Sequence, residues 1–268
     1  MRLRVLLTSK RLDPAIPINY QYPLASAIYR ILSSVEPAYA TFLHQQGYSD
    51  ERGKRMKLFC FSRIMSERKP VVEGRVLRWF GRPRLWFHIS SPLEETFVRN
   101  TLVGMLSGQG IDIGSSDAAA GFVIEEVATI DPPTWTNQVH GIALAPITTS
   151  VQEDGRRTAT YLHPLDTRFA EGVRANILAK HALLSGVRDD ELDFHIVPDA
   201  AYIQERGDRA ISKLVTIKQG RESETRVKGF VFPFMLSGNP VLLHTAWECG
   251  LGEKNSIGFG MWDARVEN

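Results

Sequence analysis

The sequence predicts an α+β protein of two tandem ferredoxin-like (RRM-like, βαββαβ) domains, with a central cleft between their sheets and a C-terminal glycine-rich loop. Strand-like and helix-like apolar patterns follow one another in this order in both halves of the chain. Pro132 and Pro133 interrupt the pattern between the halves. The predicted domains are therefore residues 1–133 and 134–268, each long enough to enclose its own hydrophobic core.

The first domain opens with an alternating strand pattern over residues 3–8. Pro23 stands where a first helical turn accepts proline, and an apolar stripe follows it at helical spacing. A second helix over residues 37–46 ends at Gly47. The remaining elements predicted here are strands over 57–65 and 76–89, the latter with a turn at 81–83, a helix over 97–106 and a strand over 121–130.

The second domain repeats this order, although no sequence repeat is visible between the halves. A strand over residues 139–147 precedes an amphipathic helix over 168–184. The next predicted elements are strands over 194–197, 210–218 and 227–232, a helix over 239–250 and, after the glycine-rich loop, a strand over 257–265. The duplication is thus inferred from the order of elements alone.

Composition argues against several classes of protein. The 268 residues are 43% apolar and 23% charged with a net charge of +2, as in ordinary globular proteins. Cys60 and Cys249 lack CxxC spacing, so we expect a reducing cytoplasm rather than a zinc site or a disulfide framework. No histidine pair has metal-ligand spacing, and neither a metal nor another cofactor is predicted. Proline and glycine interrupt the apolar run over 229–247, which argues against a membrane span.

Positive charge is concentrated in one segment of the chain. Residues 51–84 hold eleven basic residues against three acidic ones, a pattern typical of a surface that binds a polyanion. An ordinary solvated face can also carry such a run, so the pattern alone leaves both interpretations open. The basic residues are Arg52, Lys54, Arg55, Lys57, Arg63, Arg68, Lys69, Arg75, Arg78, Arg82 and Arg84.

Residues 250–260 read GLGEKNSIGFG and form the predicted glycine-rich loop. Glycine lets consecutive backbone amides turn toward an anion, and Lys254 adds a mobile positive charge. The same glycines would equally serve the tip of a hairpin. Since the loop lacks a GxxxxGK[ST] string and precedes a strand-like segment, neither an ATP site nor a dinucleotide site is indicated.

Four anchors in the sequence carry a family resemblance. They are the glycines Gly250, Gly252, Gly258 and Gly260, the string NYQY at 19–22, the string LAPI at 144–147 and the helical segment 169–186. With these anchors, the chain resembles the CRISPR-associated endoribonucleases of the sixth Cas family, members of the RAMP superfamily that cut precursor CRISPR RNA within its repeats. The resemblance spans nearly the whole chain and implies the same tandem ferredoxin-like fold.

The resemblance also implies three catalytic residues. Cutting RNA without a metal requires one group that takes the proton of a 2′-hydroxyl, another that protonates the leaving 5′-oxygen, and positive charge beside the phosphate. His44 corresponds to the family's histidine and is assigned as general acid, with the general base left open. Tyr29 corresponds to the tyrosine that orients the 2′-hydroxyl, and Lys57 to the lysine that stabilises the phosphate's charge.

Each of these residues also has a structural interpretation. A histidine at a helix end commonly bonds a carbonyl of the last turn, a tyrosine beside an apolar residue commonly packs, and Lys57 is one of many basic residues in its segment. The stretch between His44 and Lys57 is longer than in the family pattern, so Lys54 and Arg55 are alternatives for the charge role.

The expected partner is CRISPR repeat RNA, both precursor and mature guide RNA, cut to 2′,3′-cyclic phosphate and 5′-hydroxyl ends. Other Cas proteins of an effector complex and a second copy of the chain stay open as partners, and no membrane is expected. A non-cleaving CRISPR RNA-binding subunit and a module that binds a small anion remain alternative functions. The implied RNA-binding residues are Gly250, Gly252, Lys254, Gly258, Gly260, Lys54, Arg55 and Arg63.

Overall fold

The computed structural model describes residues 1–50, 53–108, 110–153, 155, 158–220 and 222–265. Arg52, predicted as part of the basic segment, lies outside the described residues. The chain forms two compact units, Met1–Gly47 with Arg63–Asp131 and Tyr48–Ser62 with Pro132–Asn268. The segment 48–62 thus belongs to the second unit, and the predicted domains 1–133 and 134–268 remain a prediction.

The elements of the N-terminal half are β1 (Arg2–Ser9), β2 (Ala15–Pro17), α1 (Gln21–Val35), α2 (Pro37–Gln45), β3 (Tyr48–Ser49), β4 (Arg55–Met56), β5 (Cys60–Phe61), β6 (Met65–Ser66), β7 (Val71–Glu73), β8 (Val76–Arg78), β9 (Arg84–Ser90), a π-helical turn (Glu94–Val98), α3 (Arg99–Gly108), β10 (Gly110–Gly114) and β11 (Ala119–Ile130).

The elements of the C-terminal half are β12 (Gln138–Ala143), β13 (Ser150–Val151), β14 (Thr160–Tyr161), α4 (Thr167–Ser185), β15 (Phe194–Pro198), α5 (Ala200–Arg206), α6 (Asp208–Ile211), β16 (Ser212–Ile217), β17 (Thr225–Phe230), β18 (Pro233–Gly238), α7 (Pro240–Cys249), a 3-10 turn (Asn255–Ile257) and β19 (Trp262–Ala264).

The first unit contains an antiparallel sheet with the strand order β10-β11-β1-β9-β6. Strands β11, β1, β9 and β6 occupy the positions 4-1-3-2 of a ferredoxin-like sheet. Helix α1 buries the predicted apolar stripe, which includes Leu24, Ile28 and Leu32. At Gly104 of α3 an added Cβ would lie 2.7 Å from the carbonyl oxygen of Ile31, so glycine permits the close packing of α3 against α1.

The second unit repeats the arrangement with the strand order β15-β18-β12-β19, again antiparallel throughout. These strands occupy positions 2-3-1-4, the same ferredoxin-like order read from the opposite edge. Its core includes an edge-to-face pair of Phe234 and Trp262 with ring centroids 5.8 Å apart. An added Cβ at Gly141 in β12 would collide with the Phe234 ring, which explains the glycine in mid-strand. The predicted α+β class is confirmed.

Two predicted strands differ in their bounds, and one strand was not predicted. The strand predicted over 57–65 is replaced by the short strands β5 and β6, and the first of them begins only after Leu58, whose backbone is left-handed with φ 51°. The strand predicted over 257–265 begins only at Trp262, because Gly258 and Gly260 have positive φ values. Strand β18 is not predicted by the sequence, since Pro233 and Gly238 stand at its ends and resemble breakers.

None of the helices in the described part of the chain is both long and apolar enough to cross a bilayer.

Candidate functional site

The glycine-rich loop begins where α7 ends, and five of its eleven residues have positive φ values. Positive φ values occur at Gly250 (79°), Gly252 (64°), Lys254 (60°), Gly258 (90°) and Gly260 (76°). Lysine adopts this conformation only at some cost, whereas glycine adopts it freely. The positions of the four glycines therefore follow the turns of the loop.

Two of these glycines are also required by close contacts within the second unit. An added Cβ at Gly252 would collide with the carbonyl oxygen of Thr148, and one at Gly260 with the carbonyl oxygen of Leu251. The amides of Leu251, Glu253 and Gly260 each donate a hydrogen bond of 2.8 Å to a backbone carbonyl. The phosphate contact predicted for the loop therefore rests on its turn around residues 254–256 rather than on these three amides.

Lys180 of α4 anchors the loop through three hydrogen bonds. Its side chain is buried, and Nζ donates to the carbonyl oxygens of Gly250 at 2.6 Å and Gly252 at 3.1 Å and to Oδ1 of Asn255 at 2.8 Å. The Asn255 amide in turn donates to the carbonyl oxygens of Leu251 at 3.1 Å and Phe259 at 3.2 Å. One cation and one amide thus tie together both ends of the loop.

The ammonium group of Lys180 is electrostatically unusual. Burial lowers its pKa to about 8, and the charges of Cys249, Cys60, Lys54 and Glu253 modify it less. All three of its hydrogen bonds go to neutral oxygens. Sequence reasoning missed this residue, because a single lysine within an amphipathic helix pattern usually reaches solvent.

Beside the loop lies a basic pocket of about 420 Å³, formed entirely by residues of the second unit. It brings together the predicted charge-bearing residues of the segment 54–57 with Lys254 of the loop. Among the described residues that line it, Glu253 is the acidic member. The basic pocket is lined by Lys54, Arg55, Met56, Lys57, Leu58, Phe59, Asn176, Lys180, Glu253, Lys254, Asn255 and Ser256.

The side chains in the basic pocket differ in how firmly they are held. Lys57 is half-buried, and burial together with the charge of Arg55 lowers its pKa. Lys54 forms an ion pair of 3.4 Å with Glu253, which also accepts a hydrogen bond of 2.8 Å from the Ser150 hydroxyl.

His44 and Tyr29 are brought together in the first unit. His44 lies exposed in the last turn of α2, and Tyr29 is half-buried on α1. Their ring centroids are 5.5 Å apart and the rings meet edge to face at 87°. Arg63, predicted to bind RNA with Lys54 and Arg55, belongs to this unit and not to the basic pocket.

His244 of α7 has a structural environment. Its Nδ1 accepts a hydrogen bond of 3.1 Å from the Trp135 indole, and its Nε2 lies 3.3 Å from Oε2 of Glu248. Each ring nitrogen of this partly exposed histidine thus has a partner within the second unit.

The two cysteines lie close to the start of the loop. Both are buried free thiols, and Sγ of Cys60 donates to the carbonyl oxygen of Glu248 at 3.5 Å. Burial raises the pKa of Cys249 to about 12, so this thiol is not a nucleophile in the folded protein.

The two antiparallel sheets and the loop define an α+β protein with two ferredoxin-like units. The family model described as "CRISPR associated protein Cas6, C-terminal" matches residues 130–264, and "CRISPR-associated protein Cas6, N-terminal" matches residues 15–128. The chain therefore belongs to the Cas6 family, as the resemblance of its sequence implied.

Relatives agree with this assignment, and a solved structure shares the fold. The chain is 28% identical to "CRISPR-associated endoribonuclease Cas6 1" of Methanocaldococcus jannaschii over 92% of this chain and 86% of the relative. It is 27% identical to "CRISPR-associated endoribonuclease Cas6" of Pyrococcus furiosus over 97% of this chain and 89% of the relative. A structure described as "An RAMP protein binding different RNA substrates" shares its fold, with a TM-score of 0.78, 21% identity and coverage of 99% and 100%.

Proposed function

We propose that this protein is a metal-independent endoribonuclease that cuts precursor CRISPR RNA within its repeats and so produces mature guide RNA. The observation that carries the proposal is the contact of exposed His44 with Tyr29, because it sets an accessible proton-transfer group edge to face against the ring of a half-buried tyrosine in the first unit. Two relatives that match nearly the whole chain carry the name endoribonuclease, which supports the same activity.

In the proposed reaction, the 2′-hydroxyl of the nucleotide before the cut gives its proton to a general base and attacks the adjacent phosphorus while the bond to the 5′-oxygen breaks. The products are a 2′,3′-cyclic phosphate and a 5′-hydroxyl. His44 donates the proton that the leaving 5′-oxygen takes up, since imidazole is the side chain that most often serves as a general acid. Tyr29 orients the attacking 2′-hydroxyl.

The charge that builds up on the phosphate requires a cation nearby. Lys57 is proposed for this role, with Lys54 and Arg55 of the same pocket as alternatives. Since burial and Arg55 lower the pKa of Lys57, a phosphate that approaches it relieves both penalties and keeps the ammonium group charged. Lys254 and the turn of the glycine-rich loop add further contacts to the RNA backbone.

A second candidate function is a non-cleaving subunit that holds CRISPR RNA within an effector complex with other Cas proteins. The specific observation in its favour is the basic pocket, which is complete within the second unit and does not require His44. Such a protein would bind repeat RNA with strong salt dependence and leave it intact.

The deciding experiment uses an end-labelled CRISPR repeat RNA from the same genome, incubated with protein in excess EDTA. A matched RNA carries a single 2′-deoxy substitution at the nucleotide before the cut. The proposal predicts one cut in the ribose RNA and none in the deoxy RNA. Binding of both RNAs without cleavage of either would instead establish the non-cleaving subunit.

A further inference from the structure

Asn176 occupies an unusual position in the wall of the basic pocket. It lies on α4 one turn before Lys180, its side chain is 5% exposed, and it lines the basic pocket. Its Oδ1 is buried without a hydrogen-bond partner among the described residues. The neighbouring Lys180 does not satisfy it, because the three protons of that ammonium group go to Gly250, Gly252 and Asn255.

A buried carbonyl oxygen without a donor destabilises a folded protein, and native structures rarely retain one without a reason. A leucine of similar volume would fill the same space and avoid the cost. The terminal torsion of asparagine is soft, so the amide can turn its oxygen toward a donor that enters the basic pocket. The position therefore has the chemistry of a binding contact rather than of a packing residue.

The surroundings of Asn176 define what kind of ligand would supply that donor. Lys54, Arg55, Lys57 and Lys254 line the same pocket and favour a phosphodiester. A nucleotide joins such a phosphate to hydrogen-bond donors, either the ribose 2′-hydroxyl or an N–H of the base edge. Its size also suits a pocket of about 420 Å³.

We propose that the basic pocket is a subsite for one nucleotide of the bound RNA, in which the side-chain amide of Asn176 accepts a hydrogen bond from that nucleotide's ribose or base. Asn176 is then a specificity-determining residue, whereas the surrounding lysines hold the phosphate. This inference rests on the proposed function, since it assigns a role in the recognition of the same RNA.

The test compares wild-type protein with Asn176→Leu and with the control Thr101→Val. Thr101 is a second buried side chain whose hydroxyl has no partner among the described residues, and it lies on α3 in the first unit and does not line the basic pocket. Both variants remove an unsatisfied polar atom, so both should raise the thermal midpoint by about 2 °C or more. Asn176→Leu alone should weaken binding of repeat RNA, by about tenfold.

Binding is measured with repeat RNA that lacks the scissile 2′-hydroxyl, so that cleavage does not intervene. A series of such RNAs removes one further donor at a time, either a 2′-hydroxyl or a base amino group. Wild-type protein should lose affinity at one position in the series, and Asn176→Leu should be insensitive at that same position. The kind of substitution that shows this coupling identifies ribose or base as the donor.

Two outcomes would overturn the subsite. If wild type and Asn176→Leu bind every RNA of the series equally, the Asn176 amide accepts no hydrogen bond from the RNA. A lower thermal midpoint for both Asn176→Leu and Asn176→Ala, with Thr101→Val raised, shows that the amide is structural. If wild-type protein binds no repeat RNA at all, both the proposed function and the subsite are wrong. The first two outcomes, by contrast, overturn the subsite alone.

Discussion

The two units hold their functional candidates in different ways. In the first unit, His44 lies exposed in the last turn of a short helix and contacts Tyr29 edge to face. In the second unit, Lys180 is buried beneath the glycine-rich loop, and its three hydrogen bonds reach both the start and the middle of the loop. Proton transfer requires an accessible group that can change its charge, whereas a binding loop requires a fixed backbone. The contrast therefore predicts that substitutions of His44 or Tyr29 act on rate and those of Lys180 or its partners in the loop on affinity.

The largest expected effect is that of His44→Ala. Loss of the general acid should lower the single-turnover cleavage rate by about 100-fold or more. Affinity for a non-cleavable repeat RNA should stay within about threefold, because an exposed side chain contributes little to folding or to phosphate binding. The check is a pair of measurements, single-turnover cleavage and equilibrium binding. An equal loss in both would place His44 in binding and break the contrast between the units.

A pH series tests the second half of the comparison. Since burial lowers the pKa of Lys180 from 10.5 to about 8, the unfolded chain binds more protons between these values. The contribution of Lys180 to the free energy of unfolding should therefore rise above pH 8, by about 1.4 kcal/mol per pH unit. RNA affinity should fall over the same range, because the neutral amine donates weaker bonds to the loop.

The control for this series is Lys180→Arg, whose guanidinium stays charged throughout. Subtracting its profile from that of wild type removes the contributions of all groups that the two proteins share. Unfolding in denaturant and equilibrium RNA binding are both measured from pH 7 to 10. Parallel profiles for wild type and Lys180→Arg would show that the Lys180 charge does not hold the loop.

An intermediate effect is expected for Gly250→Ala against Gly207→Ala. The two glycines have nearly the same backbone, φ 79° and ψ 159° at Gly250 and φ 71° and ψ 157° at Gly207. A Cβ at Gly250 would meet Asn255 Nδ2 at 2.9 Å and Cys60 Cβ at 3.0 Å, whereas a Cβ at Gly207 would meet open space. The backbone strain is therefore the same in the two variants. Gly250→Ala should lower the free energy of unfolding by about 1–3 kcal/mol more than Gly207→Ala does. The measurement is the thermal midpoint of each variant. Equal midpoints would show that the loop accommodates the added Cβ at position 250.

The smallest effect is expected for Glu253→Gln. This change removes the acidic charge from the lining of the basic pocket and keeps a group that accepts from the Ser150 hydroxyl. RNA affinity should rise by about threefold at low salt, and the gain should shrink as salt increases. A titration at several salt concentrations measures this. Weaker binding by Glu253→Gln would show that the Lys54 ion pair positions the lysine for RNA.

The sequence predicted the parts of the molecule that depend on local pattern. The stripe on α1 and the proline that opens α2 place Tyr29 and His44 on consecutive helices, so their proximity follows from elements close in the chain. The network beneath the loop could not be found in this way, because Lys180 bonds to residues 70 to 75 positions away. Strand β18 was missed for a related reason, since only its neighbours β12 and β15 explain why Pro233 and Gly238 tolerate a strand between them.

The buried thiols at the start of the glycine-rich loop are natural probes of local opening in this region. Cys60 bonds to the last turn of α7, and Cys249 is the residue from which the loop departs. A thiol whose pKa is raised to about 12 reacts slowly with alkylating reagents until its surroundings open. The rate of labelling therefore measures how often this region exposes itself, without any introduced probe. Protection on addition of RNA would show, in the native sequence, that the ligand closes the region around the loop.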